Sequence, residues 1–202
     1  MPALATLQEI QNSPSNPSSP LAEGLSLLFE HSLIVTELLE PQLSQALKAL
    51  PPLADYVELV DVTLSEITKW HIQSQAQFVA GHPRIGENEN LSALSAKEQG
   101  AKAVTPTPPE VLERLAHLNA CYEATYPGLR YITFVNGRSR AAIAEKMEEA
   151  LHTPHSFSTT EPVLGDISPI DPSSQDWRSE LDRAVYDVGC IAKSRLRALN
   201  IS

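Results

Sequence analysis

The chain has 202 residues, enough for one domain with a substantial core and short for two. Hydrophobic residues make up 42% and charged ones 20%, a globular rather than a disordered balance. Fifteen basic against twenty-five acidic side chains leave a net charge of −10 with no basic stripe, which argues against nucleic acid as a partner. No apolar run approaches the roughly 20 residues that cross a bilayer, and residues 1–10 lack the charged start and apolar block of a secretory signal. Cys121 and Cys190 stand far apart with no CxxC partner, and read as small buried thiols of a reducing compartment. The expectation is a cytoplasmic protein with no membrane partner.

Residues 12–20 (NSPSNPSSP) contain only Pro, Ser and Asn, so residues 1–20 read as a flexible lead-in to a helical domain over 21–202. Leu21, Leu25 and Leu28 recur at helical spacing, as do Leu43, Leu47 and Leu50 before Pro51-Pro52 ends that run. Residues 55–80 form one long helix or two, with Tyr56, Leu59, Val60, Leu64, Ile67, Trp70 and Phe78 as core candidates. Gly81-His82-Pro83 breaks the pattern, because a proline disfavours helical backbone at the residue before it. Pro108-Pro109 suits a helix start, and Val111, Leu115, Leu118 and Tyr122 form one stripe after it. Residues 130–135 (RYITFV) have strand propensity but no partner strand, so they read as a short extended segment. Ser139 then caps a helix to about Leu151. Residues 152–176, with four prolines, read as a loop or insertion. Trp177, Leu181, Ala184, Val188, Ile191 and Arg195 share one face of a last helix. The predicted class is all-α: a single-domain helical bundle with one extended segment and a Pro/Ser-rich insertion before the last helix.

Among residues able to carry chemistry, His82 stands at a helix mouth with its backbone pinned by Pro83. Imidazole titrates near neutral pH, which suits proton transfer, although most loop histidines do no chemistry. Ser95-Ala96-Lys97-Glu98 has the spacing of a capping box, and that role alone would account for Ser95 and Glu98. Arg195 lies on the apolar stripe, so its guanidinium needs a partner there. A protein carboxylate and an anionic ligand have equal standing on sequence alone. His152 and His155 are spaced i, i+3 in a Pro-rich stretch without nearby cysteines, which is not a zinc pattern. No GxGxxG, P-loop or GxSxG occurs, and Asn136-Gly137 reads as a turn into the Ser139 cap.

Taken in order, several segments resemble the 2-oxo-4-hydroxy-4-carboxy-5-ureidoimidazoline (OHCU) decarboxylases. They are Leu28-Phe29-Glu30, His82-Pro83 with Ile85-Gly86, Ser95-x-x-Glu98-Gln99 and Leu118-Asn119-x-x-Tyr122. Tyr131-Ile132-Thr133-Phe134-Val135-Asn136-Gly137-Arg138-Ser139 and Ile191-x-x-x-Arg195-Leu196 complete the series. Each is weak alone; six in register are not readily accidental. The resemblance covers roughly residues 21–151 and 177–199. The chain departs from it at Tyr126-Pro127-Gly128-Leu129, where the family commonly has Phe-Gly-Phe. It also ends in Asn200-Ile201-Ser202, without a peroxisomal tripeptide.

The resemblance implies an all-helical homodimer without metal or organic cofactor, acting on the small molecule OHCU and releasing CO2 and (S)-allantoin. It implies that His82 is the catalytic acid/base, with Glu98 beside it in that role. Pro83, Ser95, Glu98, Gln99 and Arg195 would line the substrate pocket, and Ile132, Thr133, Phe134, Val135 and Asn136 would supply main-chain contacts. Two other classes compete: a catalytically silent helical interaction module and a metal-dependent ureido amidohydrolase. The first leaves His82, Glu98 and Arg195 unexplained together, and the second lacks clustered ligands in the sequence.

Overall fold

A computed structural model of the protein describes residues 4–87, 92–98 and 106–201. Among these residues the fold is all-α, with no strand. The chain forms two compact units, one holding the residues up to His82 and from Val185 onward, the other Pro83–Ala184.

The first unit begins with α1 (Leu7–Gln11) and α2 (Pro20–Phe29), capped by the Thr6 and Ser19 side chains respectively. A π-helical turn, Val35–Leu39, runs directly into α3 (Glu40–Lys48). Leu43 and Leu47 are buried as their spacing predicts, whereas Leu50 lies beyond the helix end and is 40% exposed. The open question over residues 55–80 resolves into two helices, α4 (Tyr56–Ile67) and α5 (Ile72–Ala80), because His71 starts a new cap. Leu59, Val60, Ile67 and Phe78 are buried; Tyr56, Leu64 and Trp70 are only half-buried.

The Pro/Ser stretch before α2 differs from a free lead-in. Ser13 and Ser19 are buried, and the Ser15 hydroxyl, Asn16 N–H and Ser19 hydroxyl all donate to the buried Glu40 carboxylate. Composition shows that such a segment has nothing apolar to bury; it cannot show that a carboxylate waits for its hydroxyls.

The second unit contains α6 (Ala93–Glu98), α7 (Pro109–Thr125) and α8 (Arg140–Ala150), with α7 packed on α8. Pro109 opens α7 and the Ser139 hydroxyl caps α8, both as expected. Residues 130–135 are neither helix nor strand, and Tyr131, Ile132 and Thr133 are buried. Asn136 and Gly137 both take positive φ, and the Arg138 N–H closes the turn on the Val135 carbonyl at 3.0 Å. Two positive-φ residues in a four-residue turn are the reason for Asn-Gly here.

Residues 152–174, up to the start of the last helix, contain one 3₁₀ turn, Leu164–Asp166, and are tied down by buried charge. Arg114 of α7 pairs with Glu148 of α8 at 2.7 Å, both side chains almost fully buried. The same guanidinium donates to the Ser158 and Glu161 carbonyls, and Glu148 accepts from the Ser156 N–H at 3.1 Å.

The last helix, α9 (Gln175–Ala198), supplies its first part to the second unit and its remainder to the first. Trp177, Leu181, Ala184, Val188 and Arg195 are buried along the predicted stripe; Ile191 is half-buried and Ala192 takes the inner position. At Gly189 an added Cβ would lie 2.5 Å from Leu64 Cδ1, so α9 and α4 approach through a missing side chain.

Candidate active site

His82 follows the end of α5, where Gly81 forms the C-cap and Pro83 prevents a further turn. Its N–H donates to the Val79 carbonyl at 3.1 Å, and Nδ1 lies 3.4 Å from the Phe78 carbonyl. The imidazole stands edge-on to the Phe78 ring at 5.6 Å between centroids and is 3% exposed. Since a carbonyl can only accept, this geometry assigns the hydrogen to Nδ1 and makes Nε2 the basic nitrogen.

Burial pushes the His82 pKa down to about 4, with the Arg195 charge acting in the same direction. The Glu30 carboxylate and the Phe78 and Val79 backbone oppose them. His82 is therefore neutral at pH 7, a proton acceptor in its resting state.

Both charges come from the same unit. Arg195 on α9 is fully buried and donates from Nη2 to Glu30 Oε1 at 2.6 Å. Its Nη1 donates to the Leu27 and Leu28 carbonyls at 3.3 and 3.2 Å, near the end of α2. Of the two partners open to Arg195 from sequence, the protein carboxylate is thus present. Glu30 itself is the residue that sequence reasoning missed, since it appears there only as the end of the Leu28-Phe29-Glu30 piece. It holds φ 67°, ψ 152°, a conformation costly for any residue with a Cβ and common at functional sites. Gly81 completes the arrangement: a Cβ there would meet the Ser32 hydroxyl at 2.9 Å, so only glycine lets the end of α5 close on this turn.

In the second unit, Pro83 begins a loop clamped to α7. The Asn119 amide donates to the Ile85 carbonyl at 2.9 Å, and Arg84 Nε donates to Glu123 Oε1 at 2.6 Å. Gly86 has φ +91°, and its added Cβ would sit 3.2 Å from Leu115. Ser95 and Glu98 both lie on α6, but not as a capping box. The cap is one turn earlier, where the Ser92 hydroxyl accepts from the Ser95 N–H at 3.1 Å. Ser95 is therefore inside the helix and buried, and Glu98 ends it half-buried. Gln99 lies outside the described residues.

Ile132, Thr133, Phe134, Val135 and Asn136 form one continuous run with three carbonyls held by arginines. Arg183 Nη1 donates to Ile132 O at 2.8 Å, while Arg138 donates to Phe134 O and, at 3.0 Å, to Val135 O. Glu180 grips Arg183 through two bonds of 2.8 and 2.7 Å and accepts the Tyr122 hydroxyl. The i, i+3 spacing of Glu180 and Arg183 was visible in sequence; their carbonyl target was not. A cavity of about 600 Å³ beside Tyr126, His152, Glu180 and Arg183 contains none of the predicted site residues.

Cys121 and Cys190 are free thiols, Cys121 buried as expected and Cys190 half-buried. No helix among the described residues is long and apolar enough to cross a membrane.

No curated protein matches the chain. The profile of the OHCU decarboxylase family matches residues 15–161, well over half of the sequence. That span takes in both His82 and the run from Ile132 to Asn136, and the chain accordingly belongs to the OHCU decarboxylase family, carboxy-lyases of urate degradation.

Proposed function

We propose that the protein converts OHCU to (S)-allantoin and CO2 without a cofactor, with His82 moving the proton. The observation that carries this reading is a buried, neutral imidazole at a helix end, held in the opposing fields of Arg195 and Glu30.

The substrate needs little else by way of an electron sink. The carbon that loses CO2 adjoins a ring C=N carbon, so the departing pair forms a C=C bond and the C=N pair moves to the ring nitrogen, which takes a proton from solvent. The resulting enol then loses its hydroxyl proton, and the carbon bearing the ureido group gains one. A neutral base can accept the first proton and, as imidazolium, return it to that carbon. In this site the imidazolium is disfavoured by burial, so it gives the proton up readily. Delivery from one fixed ring sets the hand of the product.

Glu98, Ser95, Gln99, Pro83 and the main chain of residues 132–136 are proposed to hold the ureido and ring groups. Carboxylate, amide, hydroxyl and peptide groups match urea-like donors and acceptors. The ion pair with Glu30 favours a role for Arg195 in fixing Glu30 and tuning His82 rather than in gripping the substrate directly. A homodimer is what the same resemblance implies, and sedimentation would check it; the cytoplasmic location is proposed from cysteine usage and composition, the family itself allowing a peroxisomal one.

The test is to supply freshly generated OHCU and follow optical activity. Spontaneous decay gives racemic allantoin, so a rotation that grows with enzyme concentration supports the reaction. An unchanged racemic trace would refute it. Turnover that persists in excess chelator separates this chemistry from a metal-dependent amidohydrolase.

A further inference from the structure

We propose that Arg138 and Arg183 are positioning residues which turn the run Ile132–Asn136 into a set of main-chain donors for the substrate's oxygens. The inference rests on the decarboxylase reading above and specifies what this stretch of backbone recognises.

A peptide segment normally offers donors and acceptors alike. Here the Ile132 carbonyl is taken by Arg183, and the Phe134 and Val135 carbonyls by Arg138. The Val135 carbonyl also accepts the Arg138 N–H that closes the Asn136-Gly137 turn. In a trans peptide the N–H points away from the C=O of the preceding residue. The N–H groups of Thr133, Val135 and Asn136 are therefore aimed away from the arginines. Each shares a peptide plane with a carbonyl bonded to a cation, which polarises the plane and strengthens its N–H as a donor.

Among the described residues, none accepts a hydrogen bond from the main-chain N–H of Ile132, Thr133, Phe134, Val135 or Asn136. Of the three aimed away from the arginines, Thr133 is buried at 7% exposure, where an N–H without an acceptor is rare in folded proteins, while Val135 is half-buried and Asn136 exposed at the mouth of the turn. OHCU carries matching acceptors in its carboxylate, its ring oxo group and its ureido carbonyl. The chemistry selected is an anionic or carbonyl oxygen; the ureido N–H groups must find their acceptors elsewhere.

Neither arginine is idle structurally, so the experiment has to separate positioning from simple support. Glu180 and the Tyr131 ring, 5.3 Å from the Arg183 guanidinium carbon, make Arg183 the riskier site to change. Arg138 is half-buried and, among the described residues, bonds only to the carbonyls at the start of the turn that it closes. The test is an amide-resolved NMR titration with allantoin, run with steady-state kinetics on OHCU, for wild type and Arg138→Ala. In the wild type, the amide protons of Thr133, Val135 and Asn136 should move downfield as allantoin binds. In Arg138→Ala those shifts should shrink and KM should rise about tenfold, the scale of one or two weakened hydrogen bonds, with kcat within about threefold. Should Arg138→Ala not fold, Arg138→Lys replaces it, since one ammonium cannot span both carbonyls as the guanidinium does.

A wild-type enzyme that turns over OHCU while those amides stay unmoved overturns the inference and leaves the reaction intact. So does a folded variant whose KM and amide response equal the wild type's. A wild type that never produces optical activity sinks the decarboxylase reading and this one with it.

Discussion

Arg195 Nη2 and Glu30 Oε1 lie 2.6 Å apart, and the guanidinium also holds two carbonyls at the end of α2. The pair thus joins the last helix to the turn after an early one, across more than 160 residues of sequence. Removing one member leaves the other charged and buried, which typically costs about 3–5 kcal/mol. Glu30→Gln should therefore lower the thermal midpoint strongly. Arg195→Lys should also lose stability, because an ammonium cannot reproduce the fork to carboxylate and carbonyls. If Arg195 serves the fold and His82 rather than the substrate, the folded fraction of Arg195→Lys should keep an almost normal KM. A large rise in KM at an unchanged melting temperature would instead return Arg195 to the substrate.

His82 gives a second pair of outcomes. His82→Ala should lower the rate of stereospecific decarboxylation by at least about 10²-fold, the usual contribution of a positioned proton-transfer group. The same residue shapes acid stability. Its pKa is about 4 folded against 6.5 for the unperturbed group, through burial first and Arg195 second. Between those values the unfolded chain binds a proton that the native state does not. Stability is fully present above pH 6.5 and falls as pH drops toward 4, by about 3 kcal/mol in all. Denaturant titrations at pH 7, 5.5 and 4.5 should show this slope in wild type and a shallower one in His82→Ala.

Glu98 tests whether α6 carries more than its own cap. The Ser92 hydroxyl caps the helix, so Glu98→Gln should change stability by less than about 1 kcal/mol. If Glu98 acts with His82 or holds the ureido group as an anion, turnover should fall while the melting curve stays put. Full activity in this variant would confine Glu98 to a structural role.

Residues 152–176 divide into two parts that should respond differently to deletion. Residues 155–162 provide the Ser156 N–H and the Ser158 and Glu161 carbonyls that surround the buried Arg114–Glu148 pair. Replacing that part with a Gly/Ser linker of equal length preserves the main chain but not its conformation, and should cost more than about 3 kcal/mol. Residues 163–169 contribute chiefly exposed side chains, and shortening them should be nearly neutral because loop closure depends weakly on length. Equal melting temperatures for the two variants would show that the clasp around Arg114 contributes little.

Periodicity made the helices legible. The stripes on α7 and α9 are buried almost residue for residue, because a 3.6-residue repeat against one core leaves little choice. What stayed hidden were bonds between a side chain and a distant polar group. The capping-box pattern at Ser95 matched in spacing, yet the helix begins one turn earlier, and only the backbone decides which serine is the cap. Insertion-like composition over residues 152–176 pointed to irregular structure, which runs as far as Ser174 before α9 begins, but carried no trace of the buried arginine behind it. His82 and the run Ile132–Asn136 entered the candidate site through motif order. Glu30 did not, since a carboxylate after a helix is ordinarily solvated, and its burial depends on a partner 165 residues away.

The π-helical turn Val35–Leu39 has a consequence for the N-terminus. A turn widened by one residue rotates everything after it by about 100° about the helix axis relative to a regular α-helix. Glu40 is the first residue to feel that rotation, and it is the inward carboxylate to which Ser15, Asn16 and Ser19 are latched. Deleting a single residue from the turn would tighten the winding and carry Glu40 round to another face, releasing the latch without touching any residue that forms it. Residues 12–20 are thus fastened by a phase angle set some twenty positions downstream, and protease susceptibility of that stretch would report on the winding of a helix it precedes.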